Sequence, residues 1–247
     1  MKNLFSRQKI LFGILCMIFG FPTTFFAQSQ LKNYTEQFDS VVGEENLGIN
    51  NGTLNLRDYQ FVIEGKTKYF QNLGYTKGTV HYDGQPYYEV KLKYDLSEEQ
   101  LIFNPKNATS NIGVNLIRQK VDSFELQGLT FVNMNKLVSA DKTNYKGYWH
   151  QIKIGSDFFL YIKYKKNRKD IIKNDKVFHQ FDLYRTFLVD YDGNFQPISS
   201  KNDILKIFPD FSEEINRFYE ANKSLENSDL PLFYTNLLNR INFLLEN

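Results

Sequence analysis

The side chains of this 247-residue chain with most capacity for chemistry are three histidines, His81, His150 and His179, and the acidic pairs Glu44-Glu45, Glu98-Glu99 and Glu213-Glu214. A histidine metal centre needs two ligands at motif spacing on one element, and no two histidines here have it. Adjacent carboxylates on a strand or helix point in different directions, so these pairs are poor acid/base couples. No G-x-S-x-G, P-loop or dinucleotide fingerprint occurs. The residues therefore predict no catalytic group, no metal site and no cofactor. A pair of carboxylates distant in sequence, as in glycosidases, is the enzyme class that this leaves open.

The N-terminus predicts an address. Lys2, Arg7 and Lys9 precede an apolar run from Ile10 to about Ala27, interrupted by Gly13, Gly20 and Pro22. A basic segment followed by a short apolar one is the pattern of a cleaved signal peptide, here residues 1–27, with the mature chain starting at Gln28. The one cysteine, Cys16, lies inside that run and follows Leu15, which is too large for a lipoprotein site. Without residues 1–27 the 30 basic residues fall to 27 against 28 acidic ones. The mature chain then has no thiol and no disulfide, and nothing in it suggests the clustered basic excess that a nucleic-acid binder would show. Asp39-Ser40-Val41 resembles an Asp-Ser/Thr-apolar O-glycosylation signal known in one bacterial group, and that resemblance makes Ser40 a candidate for modification.

The elements that must carry any site are mostly strands. Aromatics make up 16% of the chain, with 23 Phe and 16 Tyr, and such residues favour strands. The stretch from Gly78 to Leu96 holds a histidine, an aspartate and several tyrosines, but Asp83-Gly84 between two alternating runs reads as a hairpin. After the turn Tyr88, Val90, Leu92 and Tyr94 share an apolar face. A two-residue loop would set Val80 on the charged face, so a three-residue loop is predicted, with Val80 opposite Pro86 and Gly84 left-handed in a bulge. The same test at Tyr191-Asp192-Gly193 predicts Val189 opposite Phe195, with Gly193 left-handed. His81 falls on the polar side.

A third hairpin, Gly147 to Lys165, turns at Gly155-Ser156-Asp157. Its core face pairs Ile154 with Phe158, Ile152 with Leu160 and His150 with Ile162. The other face carries Trp149, Phe159 and Tyr161 flanked by Lys153 and Lys163, where polar residues belong. Either a second layer covers these aromatics or they form a ligand-binding platform. His150 reads as a hydrogen-bonded core histidine. Further strands are predicted at Gln100–Asn104, Asn111–Gln119, Val121–Leu126, Leu129–Met134 and Lys176–Asp190, with extended segments near Phe61-Val62-Ile63 and Tyr69-Phe70.

After Ser199 the pattern becomes helical. Ser200 and Asp203 form a capping box for a helix that Pro209 stops. Asp210 caps a second helix with Phe211, Ile215, Phe218 and Tyr219 on one face. After a polar break at Glu226–Asp229, Pro231 opens a third, striped by Phe233, Leu237, Ile241 and Leu244. The predicted fold is mainly β (α+β): an antiparallel sheet, sandwich or open barrel of nine to eleven short strands over residues 28–199. A C-terminal segment of two to three helices, residues 200–247, packs on it, and its stripes are the candidate cover for the Trp149 face.

The order of these segments resembles a family of uncharacterised secreted proteins from Bacteroidota. The resemblance rests on Gly78–Leu96 ("G-x-V-x-YDGQ-x-Y-x-x-V-x-L-x-YDL"), Val121–Phe131, Gly147-Tyr148-Trp149, and Asp192–Phe208 followed by a charged helix. It implies export and the same architecture, and no chemistry. Together the readings predict an exported protein of the periplasm, cell surface or extracellular space that binds another envelope protein, a glycan or a lipid without catalysis. It has no transmembrane anchor after signal cleavage and does not bind nucleic acid. A hydrolase with a dispersed carboxylate site and a structural accessory factor of an outer-membrane system are the alternatives.

Overall fold

The computed structural model describes residues 47–55, 59, 61–71, 73–105, 108, 112–137 and 145–247. The expected signal peptide, Cys16 and Ser40 lie outside these residues. Gly48–Asn247 is one compact unit.

The fold is mainly antiparallel β with helices concentrated at the C-terminus. Eleven strands form one open sheet: β1 (Thr53–Asn55), β2 (Thr76–Tyr82), β3 (Gln85–Asp95), β4 (Gln100–Asn104), β5 (Gly113–Asn115), β6 (Val121–Leu126), β7 (Leu129–Asn133), β8 (Tyr148–Lys153), β9 (Phe158–Lys173), β10 (Lys176–Tyr191) and β11 (Asn194–Ile198). Their order is β1-β5-β4-β3-β2-β6-β7-β8-β9-β10-β11, close to a simple meander. The predicted strand Asn111–Gln119 shortens to β5 and a 3-10 turn, Arg118–Lys120. β9 and β10 are not short: each runs for 16 residues.

Turn chemistry sets this meander. Asp83-Gly84, Gln127-Gly128, Asn174-Asp175 and Asp192-Gly193 each have positive φ at both residues, as a two-residue type I′ turn demands. Gly84 and Gly193 are left-handed as expected, with φ 78° and 75°. The loops, however, hold two residues and not three. Val80 pairs with Tyr87 and not with Pro86, and Val189 pairs with Gln196 and not with Phe195.

The face conflict that motivated a longer first loop is real but is resolved elsewhere. Gly78 pairs with Val90 while Val80 pairs with Tyr87, so β3 holds one extra residue between them. Glu89, at φ 54°, sits in this bulge. Before it Tyr87 faces the core with Val80; after it Leu92 and Tyr94 do. A bulge switches strand parity in the same way as a longer loop. At β11 no such device occurs, and Asp190 faces Phe195 instead of Asn194.

The third hairpin has the predicted register: His150 with Ile162, Ile152 with Leu160, and Lys153 with Phe159. The sheet curls as right-handed strand twist accumulates. Lys166 N, in β9, donates to Leu96 O at the end of β3, although β3 and β9 are five places apart in the strand order. Inside the curl Phe124 stacks on Phe131 at 4.8 Å, with Tyr94 at 5.2 Å from Phe124 and Phe70 at 5.3 Å from Phe131.

Helix α1 (Met134–Leu137) follows β7, and α2 (Lys201–Ile207), α3 (Ser212–Ala221), α4 (Lys223–Ser228) and α5 (Leu230–Leu245) follow β11. The Ser200–Asp203 capping box forms, and Pro209 opens a 3-10 turn in place of a continuing helix. The second C-terminal helix starts at Ser212, two residues past Asp210. Residues of the expected polar break fold as part of α4, making four helical pieces and not two or three. The stripes pack on the sheet, but not on the Trp149 face. Ile204, Ile215, Phe233, Leu237 and Ile241 bury against Leu160, Ile162, Phe187 and Val189 of the sheet.

Candidate binding surfaces on the long hairpin

The helices cover the face of β8–β10 that carries Ile152, Leu160 and Val189, so they do not cover the Trp149 face. That face is nevertheless closed at its centre. Trp149 and Tyr161 are 2% and 1% exposed and pack with Met134 of α1 and with Leu188. Tyr145 meets the Trp149 ring edge-on at 5.7 Å, and the indole Nε1 donates to Lys146 O at 3.1 Å. Gln151 Nε2 donates to the Tyr161 hydroxyl at 2.8 Å, and burial pushes that phenol up to about 12. Of the predicted platform, Phe159 is half-buried and Lys153 is exposed. Trp149 and Tyr161 do not offer open ring faces.

Lys163 is half-buried and tethered: its Nζ lies 2.7 Å from Glu99 Oε1 and donates to Lys146 O. The same Glu99 oxygen accepts from Tyr148 N at 3.0 Å. Glu99, read from the sequence only as part of a poor acid/base couple, thus ties the turn after β3 to the start of β8. Sequence reading gave it no role because its partners lie 49 and 64 residues away (148 − 99 and 163 − 99).

A second polar constellation was also silent in the sequence. Lys68 and Asp95 form an ion pair at 3.0 Å with side chains 5% and 3% exposed. The other Asp95 oxygen accepts from Ser97 N and Glu98 N. Beside them Lys166 Nζ donates to Thr67 O and Tyr69 O, and burial lowers its pKa. These groups fasten the chain around residues 66–70 onto the sheet. They are enclosed by packing.

The histidines have separate surroundings. His150 is buried, lies 3.4 Å from the Tyr164 hydroxyl, and is pushed down to about 4 by burial, as befits a core residue. His81 is exposed beside Ser123. His179 Nδ1 lies 2.8 Å from Asp170 across the β9–β10 ladder. Among the described residues no group of three His, Cys, Asp or Glu side chains could hold a metal ion.

The exposed surface of distinctive character is the outer part of the β9–β10 hairpin. β8 pairs with β9 only at Phe159–Ile162, and β11 pairs with β10 only at Phe187–Tyr191. Between Lys163 and Thr186 the two strands continue without either neighbour. Residues 61–66 brace part of this arm, through Ile63 N to His179 O and Phe181 N to Lys66 O. Arg168, His179 and Phe181 lie on one face, where the Tyr59 ring sits 4.6 Å from His179. The other face carries Lys165, Lys169 and Lys173, all exposed, in register with Tyr184, Gln180 and Lys176. Tyr184 is 55% exposed.

This arm concentrates charge that the whole sequence conceals. Residues 163–185 hold eight Lys and Arg against three Asp, a local excess of five in a chain whose formal net charge is only +2. Asp182, the acid on the lysine face, is occupied by Lys66 at 3.3 Å. Lys165, Lys169 and Lys173 make no ion pair with the described residues. At ~3.3 Å per residue, lysines four apart sit about 13 Å from one another along the ribbon. A row of charges beside an exposed ring can neutralise a spaced anionic polymer and stack on its sugar rings.

Among the described residues no helix is long and apolar enough to cross a membrane. Comparison with protein-family models, curated proteins and solved structures finds no match for this chain.

Proposed function

We propose that this is a non-catalytic, exported envelope protein that binds an anionic glycan through the outer β9–β10 arm. The observation that carries this reading is the exposed row Lys165, Lys169 and Lys173 beside Tyr184 on a ribbon that outruns both neighbouring strands. Lysine ammonium groups suit carboxylates or phosphates on a flexible polymer, because they are point charges on long stems and impose little geometry. Tyr184 adds an aromatic face for a sugar ring. Outside this arm, residues 28–162 and 186–247 hold 19 Lys and Arg (27 − 8) against 25 Asp and Glu (28 − 3), so an anion is directed to the arm and repelled elsewhere. Export rests on the basic and then apolar N-terminus.

Affinity electrophoresis of the mature protein through gels containing polygalacturonate, and through gels containing a neutral glucan, tests this reading. Retardation by the acidic polymer alone, lost on added salt, is the expected result. Equal mobility in both gels, or retardation by the neutral glucan, contradicts it.

A further inference from the structure

Asp190 occupies an unusual place for a carboxylate. It lies on β10 directly across from Phe159 of β9 and from Phe195 of β11. Tyr161 belongs to the same face, its ring 6.1 Å from Phe159 and 5.9 Å from Phe195. Three rings thus surround one acid. Asp190 is 8% exposed, and its Oδ1 is fully buried with no hydrogen-bond partner within the protein. Leaving a buried acceptor of this kind unsatisfied is costly, and more so for a charged group.

We propose that Asp190, walled by Phe159, Tyr161 and Phe195, is a binding site for an organic ammonium group. The chemistry of the walls selects this ligand. A bare metal ion needs several oxygen ligands, and here one carboxylate faces hydrocarbon rings. An ammonium carried on carbon satisfies both, since the half-buried rings of Phe159 and Phe195 attract cations and the adjoining CH2 groups prefer an apolar wall, with the closed Tyr161 as its floor. Phe159 and Phe195 are half-buried, so these two rings are the part of the wall nearest solvent. Burial first, and then the nearby Asp157 and Asp192, push the Asp190 carboxyl upward, while the Gly193 amide opposes this. Asp157 and Asp192 are exposed nearby, and the exposed Lys153 lies on the same face, across β9 from Asp190 beside Phe159. A bound cation relieves the cost of an ionised Asp190.

This site is separate from the lysine row, and either can fail without the other. The probe is n-propylammonium chloride, titrated into the mature protein while the carboxyl carbon resonance of Asp190 is followed by NMR. 1-Propanol and potassium chloride serve as controls. The expected result is a saturable shift with n-propylammonium only. Heat of binding, followed in parallel, falls by roughly tenfold or more in apparent affinity for Asp190→Asn, and is unchanged for Lys169→Glu. An equal response to 1-propanol or to potassium chloride, or full binding by Asp190→Asn, overturns the proposal. The wild-type controls decide the matter even if the variant does not fold. Nα-acetyl-lysine amide and O-phosphoethanolamine then distinguish a polypeptide source of the ammonium from a headgroup source.

Discussion

Asp95 Oδ2 lies 3.0 Å from Lys68 Nζ inside the protein, where β3 ends and the chain around residues 66–70 crosses it. Removing one member strands the other as an uncompensated buried charge. Asp95→Asn or Lys68→Met should therefore cost ~3–5 kcal/mol, whereas Lys68→Met combined with Asp95→Leu should cost clearly less than the sum. Urea denaturation of the three variants measures this. Additive losses would mean that the pair does not act as a unit.

Glu89 holds a left-handed backbone at φ 54° in the β3 bulge, and its side chain reaches Lys77 at 3.2 Å on the surface. The backbone strain outweighs an exposed ion pair. Glu89→Gly should stabilise the protein by roughly 0.5–1 kcal/mol, while Gly84→Ala and Gly193→Ala should each destabilise it by ~1 kcal/mol. Thermal denaturation of the three variants gives the signs. A destabilised Glu89→Gly would mean that the ion pair and not the backbone dominates there.

These two sites mark how far the sequence could be read. Alternation in the Gly78–Leu96 stretch showed that one register irregularity must exist, because Val80 and Leu92 had to face the same core. It did not show where. A longer loop and an in-strand bulge restore parity equally, and a glutamate at positive φ leaves no compositional trace. Strand identity, the register of the Ile152–Leu160 hairpin, the capping box and the helical stripes were legible because each is local and periodic. The Lys68–Asp95 pair, the Glu99 ties and the Asp190 cage join residues distant along the chain or on different strands. The basic arm was hidden for a related reason: its charge is diluted in the whole-chain balance until β9 and β10 zip together past their neighbours.

Gly147 has φ 78°, and a Cβ there would come 1.9 Å from Glu99 Oε1, which Lys163 and Tyr148 N hold in place. Gly78 is constrained differently: a Cβ would meet the backbone oxygen of Glu125 at 2.2 Å. Gly147→Ala and Gly78→Ala should each cost ~1–3 kcal/mol, with hydrogen exchange accelerated in β8 for the first and in β2 and β6 for the second. Unchanged exchange in both regions would contradict the close approaches.

His150 and Asp203 give stability an acid limb in two stages. Burial depresses His150 to about 4 from an ordinary 6.5. The unfolded chain therefore takes up a proton first, and this contribution is full above pH ~6.5 and lost as pH falls to about 4. Its ceiling is ~3 kcal/mol from ~1.4 kcal/mol per unit. The amides and hydroxyls of Ser199 and Ser200 hold Asp203 down to about 2, so its contribution is present above pH ~4 and lost on approach to about 2. His150→Phe should flatten the stability profile between pH 6.5 and 4 and leave the lower limb intact. Asp203→Asn should do the reverse. Identical profiles for wild type and both variants would exclude these groups as the cause.

The most direct measurement on the arm is isothermal titration calorimetry of polygalacturonate into wild type, into Lys165→Glu/Lys169→Glu/Lys173→Glu, and into a control with Lys206→Glu/Lys223→Glu on the helices. Three exposed charge contacts of ~0.5 kcal/mol each sum to about 1.5 kcal/mol, which is roughly tenfold in affinity, and reversal adds repulsion to that loss. The arm variant should bind at least roughly tenfold more weakly than wild type, with the helix variant within about twofold of it. Equal weakening of both variants, or wild-type affinity in the arm variant, would contradict glycan binding by the β9–β10 arm.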